Sequence, residues 1–511
     1  MSQRSRTKSW VLVVLLLLFA IVGSVSYLGW RQSVPLVHAT LMAPRFLGHN
    51  TSVTATLDAA RGNVRRAELR VVQGGKAITL ARAEGPLGPH AQLPVTIEST
   101  ALGLKEGAAT LEVWGRDDFW RPLRPQERPL ASQPVTIKLT PPRLEVLAST
   151  RYVSPGGAVL VAFKATDAAR VDVSVGAHTF PSFAYGPPER GARVALIALP
   201  YDFSAGTALT ITARDEADNA TTRGVPAELK PRAFPHDTIK LSEAFLQAKV
   251  PELLPQRPPS QPLLEGFLTI NREQRRQAEA EKIKVGARTA DKPLWSGPFV
   301  QPRNTKVFSN FAETRTYVYE GRTVDTQVHV GFDLASTKHS PVPAANGGQV
   351  AFTGPLTIYG NTVIVDHGLG LQTLYAHLSS IDVKPGDTVE KGHVLGRTGT
   401  TGLAVGDHLH FEVLVSGVSV TPIEWWDGKW IRDRVNRPLK EPWPTICTPA
   451  SSPSATSPSV STAAASTWPP SSARWPRCSA ARCSPTGTWP TSWRASIGGS
   501  RSSGCSRRRR R

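Results

Sequence analysis

The chain has 511 residues, 40% of them hydrophobic and 20% charged, a composition typical of globular proteins. This length exceeds what one hydrophobic core organises, so we expect about three domains. The net charge of +20 would suggest nucleic-acid binding, but residues 448–511, with ten arginines and no acidic residue, supply half of it. Residues 297–435 carry 11 Lys and Arg against 13 Asp and Glu, so no basic groove for phosphates is indicated there. We therefore predict no nucleic-acid partner.

The N-terminus joins a short basic segment to a long apolar one. Residues 1–9 contain three basic side chains, and about twenty uncharged residues follow, enough to span a bilayer. The positive flank predicts a cytoplasmic N-terminus over 1–9 and a single-pass transmembrane signal anchor over 10–30. A signal peptide cleaved at Ser24-Val25-Ser26 is the alternative. Under both interpretations the bulk of the chain is extracytoplasmic.

Residues 35–140 and 141–229 both alternate apolar and polar residues in short runs, with Gly, Pro and Asn-Asp clusters between them, as β-strands do. A faint internal repeat links the two segments, because "LEVWGRDD" ends 98 residues before "LTITARDE". A period of about 100 residues predicts two β-sandwich modules of immunoglobulin-like type. One larger β domain is the alternative.

Composition changes again after residue 229. We predict a linker over 230–296, since its first half is rich in proline and charge, and within it a helix over 264–284. Residues 297–435 return to strands and glycine-rich turns and form a separate domain. Residues 355–378 of this domain have the pattern of a hairpin that turns at Gly368–Gly370.

The C-terminal segment 446–511 is a low-complexity mixture of Ser, Ala, Pro, Arg and Trp, which predicts disorder. Translation of a GC-rich gene in a shifted frame would give the same mixture, so we assign the segment no function. It also contains all four cysteines, Cys447, Cys478, Cys483 and Cys505. The folded domains before it therefore have neither disulfides nor a thiolate metal site.

The sequence "VGDHLHFEV" (405–413) places two histidines one residue apart in a strand pattern. Alternate side chains of a strand share a face, so His408 and His410 point the same way, and Leu409, Phe411 and Val413 point into a core. Two neighbouring imidazoles on one face contribute little to packing, but they suit metal binding or acid–base chemistry. This strand is therefore the candidate site.

Two further motifs supply partners for these histidines. His329 and Asp333 lie four residues apart in "HVGFD", and His377 ends the apolar run of "YAH". Zinc takes histidine nitrogen and carboxylate oxygen, and a catalytic zinc site keeps one position for water. Three ligands can be drawn from His329, Asp333 and either His408 or His410. The remaining histidine of the pair and His377 would then be acid–base groups.

Three other histidines of the same region lie outside these motifs. We predict that they have structural or surface roles, as single histidines usually do: His339, His367 and His393.

The motifs "HVGFDLA" and "YGNTVIVDHGLGLQTLYAHLSSIDVKPGDTVEKGHVLGRTGTTGLAVGDHLHFEV" resemble the M23 zinc metallopeptidases, the lysostaphin/LytM-type peptidoglycan endopeptidases. The resemblance covers roughly residues 297–430 and includes the pairing of H-x3-D with H-x-H. It implies an antiparallel-β LytM-type peptidase domain over 297–435. It also implies one zinc ion held by His329, Asp333 and His410, with His377 and His408 as the catalytic histidines.

Taken together, these patterns predict a mainly β protein in which an N-terminal transmembrane helix and two β-sandwich modules precede the peptidase domain. The predicted activity is zinc-dependent hydrolysis of peptide bonds in the stem or cross-link peptides of peptidoglycan. His408 is assigned as general base and His377 to the oxyanion or to proton delivery, and these two roles are exchangeable. The alternative is a non-catalytic LytM-like regulator of another cell-wall hydrolase. Envelope proteins are the expected partners of the β modules.

Overall fold

The computed structural model describes residues 3–123, 126–187 and 191–440, and these residues are mainly β, as predicted. The segment 446–511, for which disorder was expected, and its cysteines lie outside the described residues. The chain begins with the helix Gln3–Ser33, whose segment Trp10–Ser33 is long and apolar enough to cross a membrane. The large apolar side chains of this segment are exposed.

The first β module consists of two sheets that share one core. Residues such as Val53 and Leu57 from one sheet, and Leu69 and Leu111 from the other, are fully buried or nearly so in that core. The alternation of apolar residues along each strand thus decides which face is buried. The strand order of the smaller sheet is His38–Met42, Asn50–Asp58, His90–Glu98. The larger sheet has the order Phe46–Leu47, Ala131–Ile137, Gly107–Asp117, Val64–Gln73, Lys76–Glu84.

The second β module has two four-stranded sheets and a short parallel pair. One sheet has the order Phe183–Ala184, Ala192–Ala198, Ala158–Thr166, Arg143–Ser149. The other has the order His178–Phe180, Arg170–Val175, Leu209–Arg214, Ala220–Gly224. The parallel pair is Tyr152–Val153 with Glu228–Leu229. The two repeat sequences lie in equivalent strands. Gly107–Asp117 pairs antiparallel with Val64–Gln73 in the first module, and Leu209–Arg214 pairs antiparallel with Arg170–Val175 in the second.

Residues 230–262, which we expected to belong to a linker, contain regular structure instead. The strand His236–Lys240 pairs in parallel with Glu313–Tyr319 of the C-terminal domain, and the helix Glu243–Leu253 follows it. Ser242 caps that helix, since its hydroxyl accepts a hydrogen bond from the Phe245 amide at 3.2 Å. The sequence concealed these elements because they are short and the strand's partner is more than 70 residues away.

A longer helical segment follows and packs on the C-terminal domain. It consists of Leu263–Thr269, a wider π-helical turn at Ile270–Gln274, and Arg275–Gly286. Phe267 and Ile270 are fully buried in a core that they share with Tyr359 and Leu374 of that domain.

The C-terminal domain is built on an eight-stranded sheet, and every residue of its strand Leu409–Val415 is buried. We call Leu409–Val415 the histidine strand. The predicted hairpin is confirmed, because Asn361–Gly368 and Leu371–Ala376 pair antiparallel. The sheet order is Lys306–Ser309, Phe332–Ala335, Leu409–Val415, Leu371–Ala376, Asn361–Gly368, Gly348–Pro355, Thr388–Val389, with Val418–Val420 also paired to the histidine strand.

Two smaller sheets and several short helices complete this domain. The sheets have the orders His236–Lys240, Glu313–Tyr319, Arg322–His329 and Pro341–Pro343, Val394–Arg397, Ser380–Ile381. The short helices are Thr357–Tyr359, Pro422–Trp426, Gly428–Trp430, Ile431–Asn436 and Arg437–Lys440.

The second β module and the C-terminal domain share one continuous hydrophobic core, to which Phe163, Phe311 and Trp425 belong. Glu424 lies at this junction, where its Oε2 accepts a hydrogen bond from the Ala158 amide at 2.8 Å. Burial raises the pKa of Glu424 to about 7, although the Ala158 hydrogen bond acts in the opposite direction. A carboxyl group that ionises reluctantly therefore sits between the two parts of the molecule.

This environment predicts a pH-dependent stability. As the pH rises from about 4.5 to 7, Glu424 ionises in the unfolded chain before it ionises in the folded one, so stability falls across that window. The side chain is only partly buried, so we expect a loss on the order of 2 kcal/mol rather than the full equivalent of the pKa difference. Glu424→Gln should remove it. Calorimetric melting at pH 5 and pH 8 checks this, and an equal pH response in both proteins would contradict it.

Candidate metal centre and active site

Three side chains from three strands converge on one point. His329 ends the strand Arg322–His329, Asp333 lies in Phe332–Ala335, and His410 lies in the histidine strand directly opposite Asp333. His329 Nε2 lies 3.1 Å from Asp333 Oδ1 and 3.0 Å from His410 Nδ1. His410 Nδ1 lies 2.9 Å from the same Asp333 oxygen. All three residues are buried, and the structure therefore brings the predicted ligand set together.

The outer nitrogen of each imidazole is already committed to an acceptor. His329 Nδ1 lies 2.9 Å from the Asn310 carbonyl oxygen, and His410 Nε2 lies 2.9 Å from Glu412 Oε1. Neither a carbonyl nor a carboxylate oxygen can donate, so each outer nitrogen carries the hydrogen. In the neutral rings the two nitrogens that face Asp333, His329 Nε2 and His410 Nδ1, therefore carry no hydrogen and present lone pairs. Two lone pairs and a carboxylate oxygen that face each other at about 3 Å repel unless a cation lies between them, so the donor set fits a divalent metal such as zinc.

The electrostatics of the cluster also favour a positive charge. Burial alone would raise the pKa of Asp333, but the surrounding histidines, His329 first, hold it well below its usual range. Burial lowers the pKa of His329. Burial acts in the same direction on His410, but the neighbouring carboxylates of Asp333 and Glu412 outweigh it and raise the His410 pKa. The Asp333 carboxylate thus stays ionised beside a His329 imidazole that stays neutral and available as a ligand.

The other two histidines of the motifs lie against this cluster. The ring centres of His377 and His408 are 4.8 Å apart, and His408 Nε2 lies 3.5 Å from Asp333 Oδ1. His377 Nδ1 lies 2.8 Å from the Thr401 carbonyl oxygen, and His408 Nδ1 lies 2.7 Å from that of Gly406. Each Nδ1 therefore donates, and each Nε2 is free to accept a proton. Burial holds the pKa of His377 well below its usual value, which keeps its ring neutral.

Local backbone geometry places these two side chains. His377 directly follows the strand Leu371–Ala376 and has a left-handed φ of 62°. His408 forms a bridge with Gly399 just before the histidine strand begins. The strained turn at His377 could not be read from the strand pattern, whereas the position of His408 follows from its spacing to His410.

Two side chains that contact the ligands were absent from our sequence interpretation. Arg315 donates to Asp333 Oδ2 at 2.8 Å. Glu412 accepts the hydrogen bond of His410 Nε2 at 2.9 Å. Alternation along the strand would have found Glu412, which shares a face with His408 and His410. Arg315 had no comparable signal, since it reaches Asp333 only through the pairing of Glu313–Tyr319 with Arg322–His329.

Gly331 of "HVGFD" leaves room for the imidazole of His410, one of the predicted metal ligands. A Cβ atom there would lie 2.6 Å from His410 Cε1 and Nε2 and 2.8 Å from the Phe411 carbonyl oxygen. Gly331 directly precedes the strand Phe332–Ala335, which is paired with the histidine strand. Because this pairing holds the backbone in place, a methyl group at Gly331 would displace the His410 imidazole. We expect Gly331→Ala to fold and to lose zinc affinity by about 10–100-fold, the range for changes that disturb ligand orientation. Chelator competition measures this, and unchanged affinity would contradict the packing argument.

The three remaining histidines of the region have separate surroundings, and His393 among them is exposed. His367 is fully buried and bonds the Gly347 carbonyl oxygen at 2.7 Å and Thr373 Oγ1 at 2.8 Å. His339 is exposed and bonds Ser379 Oγ at 3.0 Å. These contacts agree with the structural and surface roles that we predicted.

The candidate site opens into a cavity of about 530 Å³. Its apolar walls include Phe308, Tyr317 and Leu403 from the C-terminal domain, and Leu241 and Phe245 from the segment that precedes it. A cavity of this size, with a few convergent polar groups on an apolar wall, is typical of ligand sites.

Comparisons with known proteins identify relatives of the part of the chain that contains this site. The model of peptidase family M23 matches residues 327–422. DD-carboxypeptidase/endopeptidase Mpg of Neisseria meningitidis is 40% identical over 97 residues, which cover 19% of this chain and 22% of that protein. Peptidoglycan DD-endopeptidase ShyA of Vibrio cholerae is 35% identical over 119 residues, which cover 23% of this chain and 27% of that protein.

The chain is also similar to a solved structure. The catalytic domain of the antimicrobial peptidase lysostaphin from Staphylococcus simulans is 27% identical, with a TM-score of 0.21, and the match covers 24% of this chain and 92% of that domain. The chain thus spans only about a quarter of the length of the two curated relatives. The matched segment includes all five residues of the convergent cluster, and residues 327–422 of this chain are therefore a domain of peptidase family M23.

Proposed function

We propose that this protein is a zinc-dependent endopeptidase that hydrolyses peptide bonds in the stem or cross-link peptides of peptidoglycan. One observation carries the proposal: two imidazole lone pairs and one carboxylate oxygen face each other at about 3 Å, with each outer ring nitrogen already bonded. His329, Asp333 and His410 would hold one zinc ion. The M23 domain and the DD-endopeptidases among its relatives support the choice of substrate.

When bound, zinc would acidify a water molecule and polarise the scissile carbonyl group. The residues of the chain would perform the proton transfers. His408 takes a proton from the attacking water at its Nε2, because its Nδ1 already donates to Gly406. His377, beside it, delivers that proton onward or stabilises the oxyanion that forms on the substrate carbonyl. Both rings have the same free nitrogen, so the two roles remain exchangeable.

The N-terminal helix would anchor the enzyme in the membrane as a single-pass span, with residues 1–9 in the cytoplasm. A cleaved signal peptide is the alternative, and the peptidase is extracytoplasmic in both cases. The β modules would carry the catalytic domain away from the membrane toward the wall, and they would offer surfaces to envelope proteins.

Digestion of purified peptidoglycan by the detergent-solubilised full chain tests the proposal, with mass analysis of the released muropeptides. We expect the released muropeptides to have shortened stem peptides or hydrolysed cross-links. The glycan chains should remain intact. His410→Ala serves as the control and should release none. If the wild-type chain holds zinc but releases no products alone, and instead stimulates a second wall hydrolase, the protein is a regulator and not an enzyme.

A further inference from the structure

A buried lysine from outside the M23 domain lies two side chains away from the candidate metal. Lys282 belongs to the helix Arg275–Gly286, and its side chain is completely buried. Its Nζ lies 2.9 Å from Glu412 Oε2, and the other oxygen of that carboxylate accepts from His410 Nε2 at 2.9 Å. The side chain of Glu412 is also completely buried. A continuous chain of contacts therefore runs from the helix to a predicted ligand.

Every polar group in this series of contacts, from Lys282 through Glu412 to His410, has a hydrogen-bond partner. Its ammonium also contacts Glu279 Oε2 at 2.8 Å and the hydroxyl oxygens of Tyr359 and Ser419 at 3.1 Å each. The Ser419 hydroxyl donates to Glu412 Oε2 at 2.6 Å. A fully satisfied network in a buried location holds its members in one arrangement, whereas a half-satisfied one is costly.

The backbone of the helix also lies directly against the turn that follows the histidine strand. Gly417 lies in the turn that follows this strand, with a φ of 81°, and a Cβ there would lie 2.5 Å from the Lys282 carbonyl oxygen. A Cβ on Gly286, which ends the helix, would likewise lie 2.4 Å from the Gly417 amide nitrogen and 2.5 Å from the Ser416 carbonyl carbon. This close approach fixes the distance between Lys282 and the strand that carries His410 and Glu412.

We propose that Lys282 is a positioning residue for the metal site: it fixes the Glu412 carboxylate, which in turn orients the His410 imidazole for metal binding. The inference rests on the proposed function, because it takes His410 as a zinc ligand. Partners of ligating histidines orient the ring and raise its basicity, and their loss typically costs about 10–100-fold in metal affinity. The helix Arg275–Gly286 is then part of the functional unit, although the family match begins only at residue 327.

Zinc affinity of the full chain, measured by competition with a chromophoric chelator, tests this role. Lys282→Met should lower the affinity by about 10–100-fold, and Glu412→Gln should lower it to a similar extent. The double variant should be no worse than Glu412→Gln alone, because Lys282 acts only through that carboxylate. Lys284→Met is the matched control, since Lys284 lies on the same helix with 73% of its side chain exposed, and it should leave zinc affinity unchanged.

The outcomes separate this inference from the proposed function. If the wild-type chain binds no zinc, the proposed function itself fails. If it binds zinc and Lys282→Met, folded by its melting profile, retains full affinity, Lys282 is only a structural ion-pair partner. Should Lys282→Met not fold because Glu412 is left unpaired, the double variant decides, since it lacks that buried charge. Full affinity in Glu412→Gln, or a much larger loss in the double variant, would overturn the proposal.

Discussion

His410→Ala is expected to abolish zinc binding and peptidoglycan cleavage while the protein remains folded. His410 supplies one of three lone pairs that face each other at about 3 Å, and two ligands do not close a catalytic zinc site. Loss of the metal removes both water activation and carbonyl polarisation. The rate should therefore fall by more than about 10⁴-fold, the upper end of what a single acid–base group contributes.

Elemental analysis of the purified variant checks the metal, with about one zinc ion per chain expected in the wild type and close to none in His410→Ala. His329→Ala and Asp333→Ala should behave alike. His339→Ala is the matched control, because His339 is an exposed histidine of the same domain that bonds Ser379. Full zinc content in any of the three ligand variants would show that the ligand set is wrong.

His408→Ala should separate catalysis from metal binding. The His408 ring contacts His377 and comes within 3.5 Å of Asp333, but it does not belong to the close trio of donor atoms. We therefore expect this variant to keep its zinc and to lose about 10²–10⁴-fold in cleavage rate, the usual contribution of a general acid–base group. His377→Ala should show a similar pattern.

Zinc content and cleavage rate have to be measured on the same His408→Ala sample. If zinc is retained and turnover is nearly normal, His408 takes no part in the reaction. If zinc and activity disappear together, His408 is a ligand, and the two histidines of "HLH" have been assigned in the wrong order. The pH dependence of the rate then distinguishes His377 from His408, since removal of the general base should eliminate the acidic limb of the profile.

The residues of the candidate site could be named from the sequence largely because short motifs contain them. H-x3-D and H-x-H fix the residue types and spacings, and strand alternation puts His408 and His410 on one face. Glu412 follows the same alternation and could have been named with them. Arg315 and Lys282 could not, because strand pairing brings the first and helix packing the second to the cluster, and no sequence motif marks either contact.

In the fold, too, features with a sequence pattern could be predicted, and features that depend on contacts between segments could not. Alternating apolar residues identified the mainly β character and the hairpin at Gly368–Gly370. Composition misled us at 230–262, where proline and charge suggested a linker. The strand His236–Lys240 gains its order from a partner, Glu313–Tyr319, that composition cannot reveal.

Metal depletion and restoration on one sample test the central claim most directly. The full chain is stripped of metal with a chelator, assayed on purified peptidoglycan, and assayed again as zinc is returned in increments. We predict that the stripped chain releases no muropeptides from cross-linked material and that peptide-bond cleavage rises until about one zinc ion is bound per chain. A metal-free chain that cleaves as fast as the untreated one would contradict the account.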